Sequence, residues 1–260
     1  MYLLESRLIE PTKRYSPDPN MPKNAIFCHH ESTMAVLDEL AHEGIVENVS
    51  HRRPMKVSHF RYNGLEIALI NVWTGTHISA NGIARYYLHG CRNFINLGGI
   101  GAPDTSYKIG EFVVATEAIR DDGYTDSLAT KDEPAISDPQ VADALISGCI
   151  REGVNPRIGK VWTVSSMYAY TREDVDKKLR KGIIGVEGEM AAIAIMTGWV
   201  RLKYGDRFGI PYSGNLFYFS DIIPATPDDP WDSILDKPGK MLPHKKTGLK
   251  IAMRALRELN

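Results

Sequence analysis

The chain is poor in cysteine: its three, Cys28, Cys91 and Cys149, are odd in number and far apart. No CxxC pair and no Cys/His metal spacing joins them, which argues against a disulfide framework or a zinc site and makes a reducing compartment the simpler reading. Charge of one sign is also missing. Thirty-one Lys and Arg are set against 32 Asp and Glu, a formal −1, so no net field draws nucleic acid or an anionic membrane. No apolar run approaches the roughly 18 residues of a membrane span. Acidic and basic residues appear by position 7 without a signal-peptide pattern. There is no internal repeat, no low-complexity tract and no convincing linker. The expectation is a soluble cytoplasmic protein with neither nucleic acid nor membrane as partner.

What is present is an ordinary globular composition, 43% hydrophobic and 24% charged, over 260 residues, enough for a substantial core. Residues 1–23 carry Pro11, Pro17, Pro19 and Pro22 and read as an extended arm, leaving 24–260 as one domain. Short apolar runs at Ala25–Cys28, Phe94–Leu97, Phe112–Thr116, Lys160–Val164 and Leu216–Phe219 read as strands, and Val57–Tyr62 with Leu65–Val72 reads as a hairpin. Helical patterns cover Thr33–His42, Ile83–Leu88, Pro139–Ile150, Asp174–Arg180 and Thr247–Leu259. Thr74–Gly82 reads as a Gly/Ser/Thr loop, and residues 224–243, with five prolines, as a long irregular lid. Strands alternating with helices predict an α/β fold around a central mixed sheet.

The most informative stretch is Gly185–Ala192, where Glu187 and Glu189 sit between an apolar strand-like run and an apolar helix-like run. Carboxylates in such a setting need partners, and two of them can accept hydrogen bonds from neighbouring sugar hydroxyls. A solvated turn with two surface glutamates is the alternative. Gly98-Gly99-Ile100-Gly101 follows a strand and lets a ligand approach backbone closely, yet it lacks dinucleotide-fingerprint spacing and reads equally as a tight turn. Asp221, after Ser220 at the end of an apolar strand, is placed for a general acid or for capping the next turn. His51-Arg52-Arg53 reads as a phosphate grip or a solvated basic turn. His29-His30-Glu31 reads as an anion or water-nucleophile site or as structural polarity. Tyr168 and Tyr170 suit stacking on a planar base, or simply the core or rim.

Taken in order, these pieces resemble the purine nucleoside phosphorylase and uridine phosphorylase superfamily, which includes the methylthioadenosine and AMP nucleosidases. Three stretches carry the resemblance: Phe94–Ala102 with Lys108–Thr116 and Ile119–Gly123 after it, Gly185–Ala192, and Phe219-Ser220-Asp221. The resemblance covers residues about 24 to 258. It implies a three-layer α/β/α fold with a central mixed, partly barrel-like sheet, and an enzyme that cleaves the N-glycosidic bond of a nucleoside through a ribosyl-cation-like transition state. It further implies that Glu189 holds the ribose hydroxyls, that Glu187 lies near the base and that Asp221 protonates a purine as it leaves; Gly188, Gly98, Gly99, Tyr168, Tyr170 and Ser220 are expected around the substrate. A homodimer or larger homo-oligomer with shared sites follows by analogy.

The departures concern phosphate. Where the family has Gly-Asp and then Arg after the first strand, this chain has His29, His30 and Thr33. A second arginine position reads Asn96, the following Ser or Thr reads Gly99, and the methionine under the ribose reads Gly188. Only Arg53 matches a phosphate arginine, one reaching in from a neighbouring subunit. Each lost charge-assisted contact removes roughly 1.5–3 kcal/mol. The expectation therefore leans to hydrolysis of a purine nucleoside or nucleotide, with Glu31 or a histidine activating water, and with Arg53, His29 and His30 as the residues for phosphate or a 5′-phosphate. Phosphorolysis through a rebuilt phosphate site is the alternative, and a non-catalytic nucleoside-binding protein is the second. No metal and no cofactor are expected, inorganic phosphate entering only as a co-substrate of phosphorolysis.

Overall fold

The computed structural model describes residues 1–4, 9–52, 56–235 and 237–260. The first apolar run forms β1 (Asn24–Cys28), buried along its length between two parallel neighbours, β4 (Leu65–Asn71) and β5 (Asn93–Ala102). Burial on both faces is why the run is continuously apolar instead of alternating. β3 (Val57–Tyr62) closes the expected hairpin with β4, and β2 (Glu47–Arg52) pairs with β3 at the sheet edge. β2 buries no side chain fully, so its sequence shows no apolar face by which to read it as a strand.

On the other side of β5, β10 (Tyr212–Ile222) runs parallel to it, and β6 (Phe112–Asp121) is antiparallel to β10. β8 (Arg157–Val164) joins β6 in parallel, and β9 (Ile183–Glu187) joins β8. β9 then returns to β5 through one pair, Val186 against Gly101. The strands β5, β10, β6, β8 and β9 thus close into a ring within an 11-stranded mixed sheet. Short β7 (Ala135–Ile136) and β11 (Asp232–Ser233) extend β6 and β10.

Helices cover both faces. α1 (Ser32–His42), α3 (Pro139–Arg151) and α6 (Pro238–Glu258) share one apolar core that includes Leu37, Leu40, Leu145 and Leu256. α2 (Thr76–His89) and α5 (Met190–Phe208) share the other, with Phe27, Tyr87 and Phe94. α4 (Arg172–Leu179) packs beside β9. The architecture is the three-layer α/β/α arrangement with a partly barrel-like sheet that the resemblance implies.

Three local expectations are corrected. Residues 76–82 are the first turns of α2, not a loop. Gly82 is small for packing: a Cβ there would lie 3.1 Å from Val72 and 3.2 Å from Phe27. Gly98 to Ala102 continue β5 instead of leaving it as a loop, because β10 pairs with them residue by residue. The proline-rich lid ends early, since α6 begins at Pro238 and carries Pro243 within its second turn at the cost of one intrahelical hydrogen bond. Of the N-terminal segment, Pro11–Lys13 form a 3-10 turn, Tyr2 bridges Ala129, and the Trp199 indole donates to the Leu3 carbonyl at 2.9 Å.

Candidate functional site

The ring closure assembles the three motifs. Gly101 pairs with Val186 of β9 on one side and with Asp221 of β10 on the other. Glu187, Gly188 and Glu189 leave β9 beside one flank of the glycine strand while Ser220 and Asp221 stand on the other. Between them opens a cavity of about 750 Å³, at the C-terminal ends of β1, β5, β8 and β10, the usual ligand position in α/β sheets. His29, His30, Gly98, Gly99, Tyr168 and Tyr170 reach the same cavity.

The two glutamates divide the work. Both are buried. Glu187 accepts from the N–H groups of Glu189 at 2.6 Å and Met190 at 2.7 Å, and from the Thr163 hydroxyl. The Thr163 oxygen in turn accepts from the Ala191 N–H at 3.1 Å. Glu187 therefore ties the start of α5 to β8, satisfying N–H groups that a helix leaves open. Burial, and then the neighbouring Glu189, push its pKa up. Glu189 accepts at one oxygen, Oε1, from the Gly75 N–H at 2.9 Å, and no donor is seen at its other oxygen among the described residues. A carboxylate held at one oxygen beside a cavity suits a vicinal diol. Gly188 leaves space: a Cβ there would meet only the Val164 carbonyl, at 3.8 Å.

Ser220 is a β-bulge. Opposite β5 the register runs Phe219 to Ile100 and then Asp221 to Gly101, skipping Ser220. Successive strand residues normally point to opposite faces, and the bulge lets Ser220 and Asp221 both line the cavity. Ser220 Oγ donates to Asp221 Oδ1 at 2.7 Å and the Trp231 indole N–H to Oδ2 at 3.1 Å. Burial raises the Asp221 pKa against the pull of these two donors. Gly99 is the steric counterpart, since a Cβ there would sit 2.8 Å from Ser220 Oγ.

The end of β1 is built differently from the expectation. The two ring nitrogens of His29 face carbonyl oxygens, Trp73 O at 2.7 Å and Asn96 Oδ1 at 2.6 Å. Asn96 continues inward to Asn215 Oδ1 at 3.1 Å, and Asn215 to Ser137 Oγ at 3.0 Å. The position of a family arginine is thus filled by a buried amide chain, and His29 has no ring nitrogen left for phosphate or for activating water. Glu31 does not line the cavity; it is exposed at the start of α1 and ion-paired with Lys56, which removes the geometry for the general base it was expected to be. His51 and Arg52 belong to edge strand β2 and pair with Asp38 at 3.0 Å and Asp18 at 3.3 Å. Arg53 lies outside the described residues. Tyr168 is 90% exposed at the rim, while Tyr170 packs on Trp162 with ring centroids 5.3 Å apart.

Two lining residues escape a reading of the sequence. Trp231 lies in the proline-rich segment, where nothing signals that its indole meets Asp221. Lys245 sits among three consecutive basic residues of α6, His244-Lys245-Lys246, that read as a solvated face. It is 3% exposed and lines the cavity, its ammonium donating to Ser32 Oγ.

No helix among the described residues is long and apolar enough to cross a membrane. Compared with solved structures, the chain is similar to uridine phosphorylase from Vibrio fischeri, with a TM-score of 0.72 at 17% identity over 94% of this chain and 99% of that one. Among curated proteins it is 22% identical to a guanosine phosphorylase from Halorubrum lacusprofundi over 61% of this chain and 66% of the relative. It is 28% identical to a DeoD-type purine nucleoside phosphorylase from Shewanella denitrificans over 57% and 64%, and 27% identical to a uridine phosphorylase from Thermococcus kodakarensis over 60% and 61%. The alignments span less than two thirds of each of these relatives. The model of the phosphorylase superfamily matches residues 25–205, from β1 through most of α5, and includes two of the three motifs around the cavity; by that match and by its fold, the chain belongs to the phosphorylase superfamily.

Proposed function

We propose that the chain cleaves the N-glycosidic bond of a purine nucleoside, with phosphate as the acceptor. The observation that carries this reading is the pair of buried carboxylates, Glu189 and Asp221, on either side of the Gly101 closure and facing one cavity. Glu189 accepts hydrogen bonds from the ribose hydroxyls and lowers the energy of the cation developing at C1′. As the C1′–N bond breaks, its electron pair goes to the base, whose ring nitrogen takes the Asp221 proton. A phosphate oxygen forms the new C1′–O bond, yielding the free base and the ribose 1-phosphate. The Asp221 pKa, raised by burial, supports the acid role, since a buried carboxyl keeps its proton to higher pH than an exposed one does.

Phosphorolysis is preferred to the hydrolysis that the missing arginines suggest, because the relatives it resembles are named phosphorylases. The loss of Glu31 as a candidate base also weakens the hydrolytic route. The test is to incubate the protein with purine and pyrimidine nucleosides and nucleoside 5′-monophosphates, with and without phosphate, and to measure free base. Release that needs phosphate supports the reading. Equal release without phosphate replaces it with hydrolysis, and no release from any substrate leaves a nucleoside-binding protein.

A further inference from the structure

A buried ammonium without a counter-charge is costly. Lys245 is such a group: it is 3% exposed, its one hydrogen-bond partner among the described residues is the Ser32 hydroxyl, and no carboxylate among them pairs with it. An ammonium has three protons to donate, so two remain. Cys28, the nearby group that would offset the charge as a thiolate, is pushed by burial up to about 12 and stays a neutral thiol. Burial accordingly pushes the Lys245 ammonium down to about 8. The next lysine, Lys246, is by contrast satisfied at the surface by Glu39 and Glu43.

The surroundings of Lys245 are those of a receptor for negative charge. Ser32, its partner, opens α1, whose N-terminal dipole favours an anion. The Ser32 N–H and hydroxyl both lie on His30 Nδ1, at 3.1 and 2.8 Å. His30 Nδ1 is thereby an acceptor, and the neutral ring keeps its proton on Nε2. Its pKa is lowered by burial and then by Lys245. His30, Thr33 and Lys245 all line the cavity that holds Glu189 and Asp221. Of the other basic residue types there, His29 is spent on Trp73 and Asn96, and Arg172 on Asp176 and the Pro103 carbonyl.

We propose that Lys245, with His30 and the start of α1, forms a subsite for a phosphoryl dianion, the charge coming from the C-terminal helix and not from the first strand or the strand before the glycines. The bound group is either inorganic phosphate or the 5′-phosphate of a nucleotide. Which of the two is bound rests on the cleavage reading; the existence of the site does not.

The test uses Lys245→Met, which keeps the apolar stem and removes the charge, Lys246→Met as a surface control, and the wild-type protein. Inorganic phosphate and a nucleoside 5′-monophosphate, the latter against its parent nucleoside, are titrated by calorimetry and thermal unfolding at matched ionic strength. The expected result is that Lys245→Met weakens anion binding roughly ten- to a hundred-fold while Lys246→Met leaves it unchanged. Binding of inorganic phosphate identifies a free co-substrate; a Lys245-dependent advantage confined to the 5′-monophosphate identifies the substrate's own phosphate. Both support the site. A second readout needs no variant: phosphate or the monophosphate protects Lys245 of the wild-type protein from an amine-reactive acylating reagent, read by peptide mass spectrometry. Equal anion affinity in wild type and Lys245→Met, or absence of protection by either probe, overturns the proposal. Failure of the cleavage reading looks different: no base is released, yet Lys245 still governs anion binding and protection.

Discussion

Around the β9–β5–β10 closure two of the three carboxylates are held by near neighbours in sequence, Glu187 by the N–H groups two and three residues on and Asp221 by adjacent Ser220, while Glu189 reaches the Gly75 N–H from a distant loop. At the end of β1 the polar groups line the cavity but are largely engaged with one another. His29, Asn96 and Asn215 bond to one another through the interior, and the available positive charge arrives on Lys245, more than 200 residues along the chain. The difference teaches that the sugar-and-base end depends on backbone geometry, in the β9–α5 turn and in the register of β10 on β5, whereas an anion needs charge and can be served by any element that brings a cation to the cavity. α6 reaches it because Gly248 and Gly110 bring it close: a Cβ on Gly248 would lie 2.6 Å from Leu97, and one on Gly110, at φ +91°, 2.3 Å from His244.

The largest effect is expected at the sugar-and-base end. Asp221→Asn should slow purine release by roughly a hundred- to ten-thousand-fold while leaving phosphate affinity intact, measured by single-turnover kinetics beside calorimetry. A parallel loss of phosphate binding would mean that the two ends are not separable. Glu189→Gln should lower kcat by roughly a hundred- to a thousand-fold with a folded, anion-binding protein; unchanged kcat would remove Glu189 from the reacting sugar. Gly99→Ala should destabilise the fold by about 1–3 kcal/mol, because its Cβ meets Ser220 Oγ at 2.8 Å. Denaturant unfolding checks this, and an unchanged midpoint would show that the Ser220 bulge is not sterically pinned.

The smallest effect concerns pH. Asp221 gives a proton only while it has one, so the rate falls as pH rises through its pKa, which burial raises above the ordinary carboxylate value. The Ser220 and Trp231 donors favour the ionised form and hold that pKa down. Trp231→Phe removes one donor, so the descending limb of the kcat/KM profile should move to higher pH by less than about one unit. Movement to lower pH would contradict the role of the indole.

Much of the sugar-and-base end is legible in the sequence because its residues are near neighbours at strand ends. Glu187 and Glu189 flank one glycine, and Ser220-Asp221 closes an apolar strand. The anion end is not legible. Lys245 sits in a basic run that looks solvated, and only the packing of α6 on β5 shows that it is enclosed while Lys246 is not. The start of α2 is hidden for a related reason: Gly82 is needed for close approach to Phe27 and Val72, and together with Ser79 and Asn81 it gives the segment a loop-like composition. Edge strand β2 is invisible because it buries no face. Glu31, adjacent to two histidines, looked like chemistry, but the turn into α1 sends it to the surface and Lys56.

From sequence alone came the alternation of strands and helices, the order of three motifs and the residue types for a sugar grip and an acid, since hydrophobic periodicity and short-range spacing are written in the chain itself. Tertiary structure decided what touches what. A single pair, Gly101 with Val186, closes the ring and sets Glu189 opposite Asp221; one bulge turns Ser220 and Asp221 to the same side; and the docking of α6 leaves Lys245, not Lys246, buried without a counter-charge. Each depends on long-range register and burial, which fix the partners and the electrostatic environment of a side chain and which no local pattern encodes.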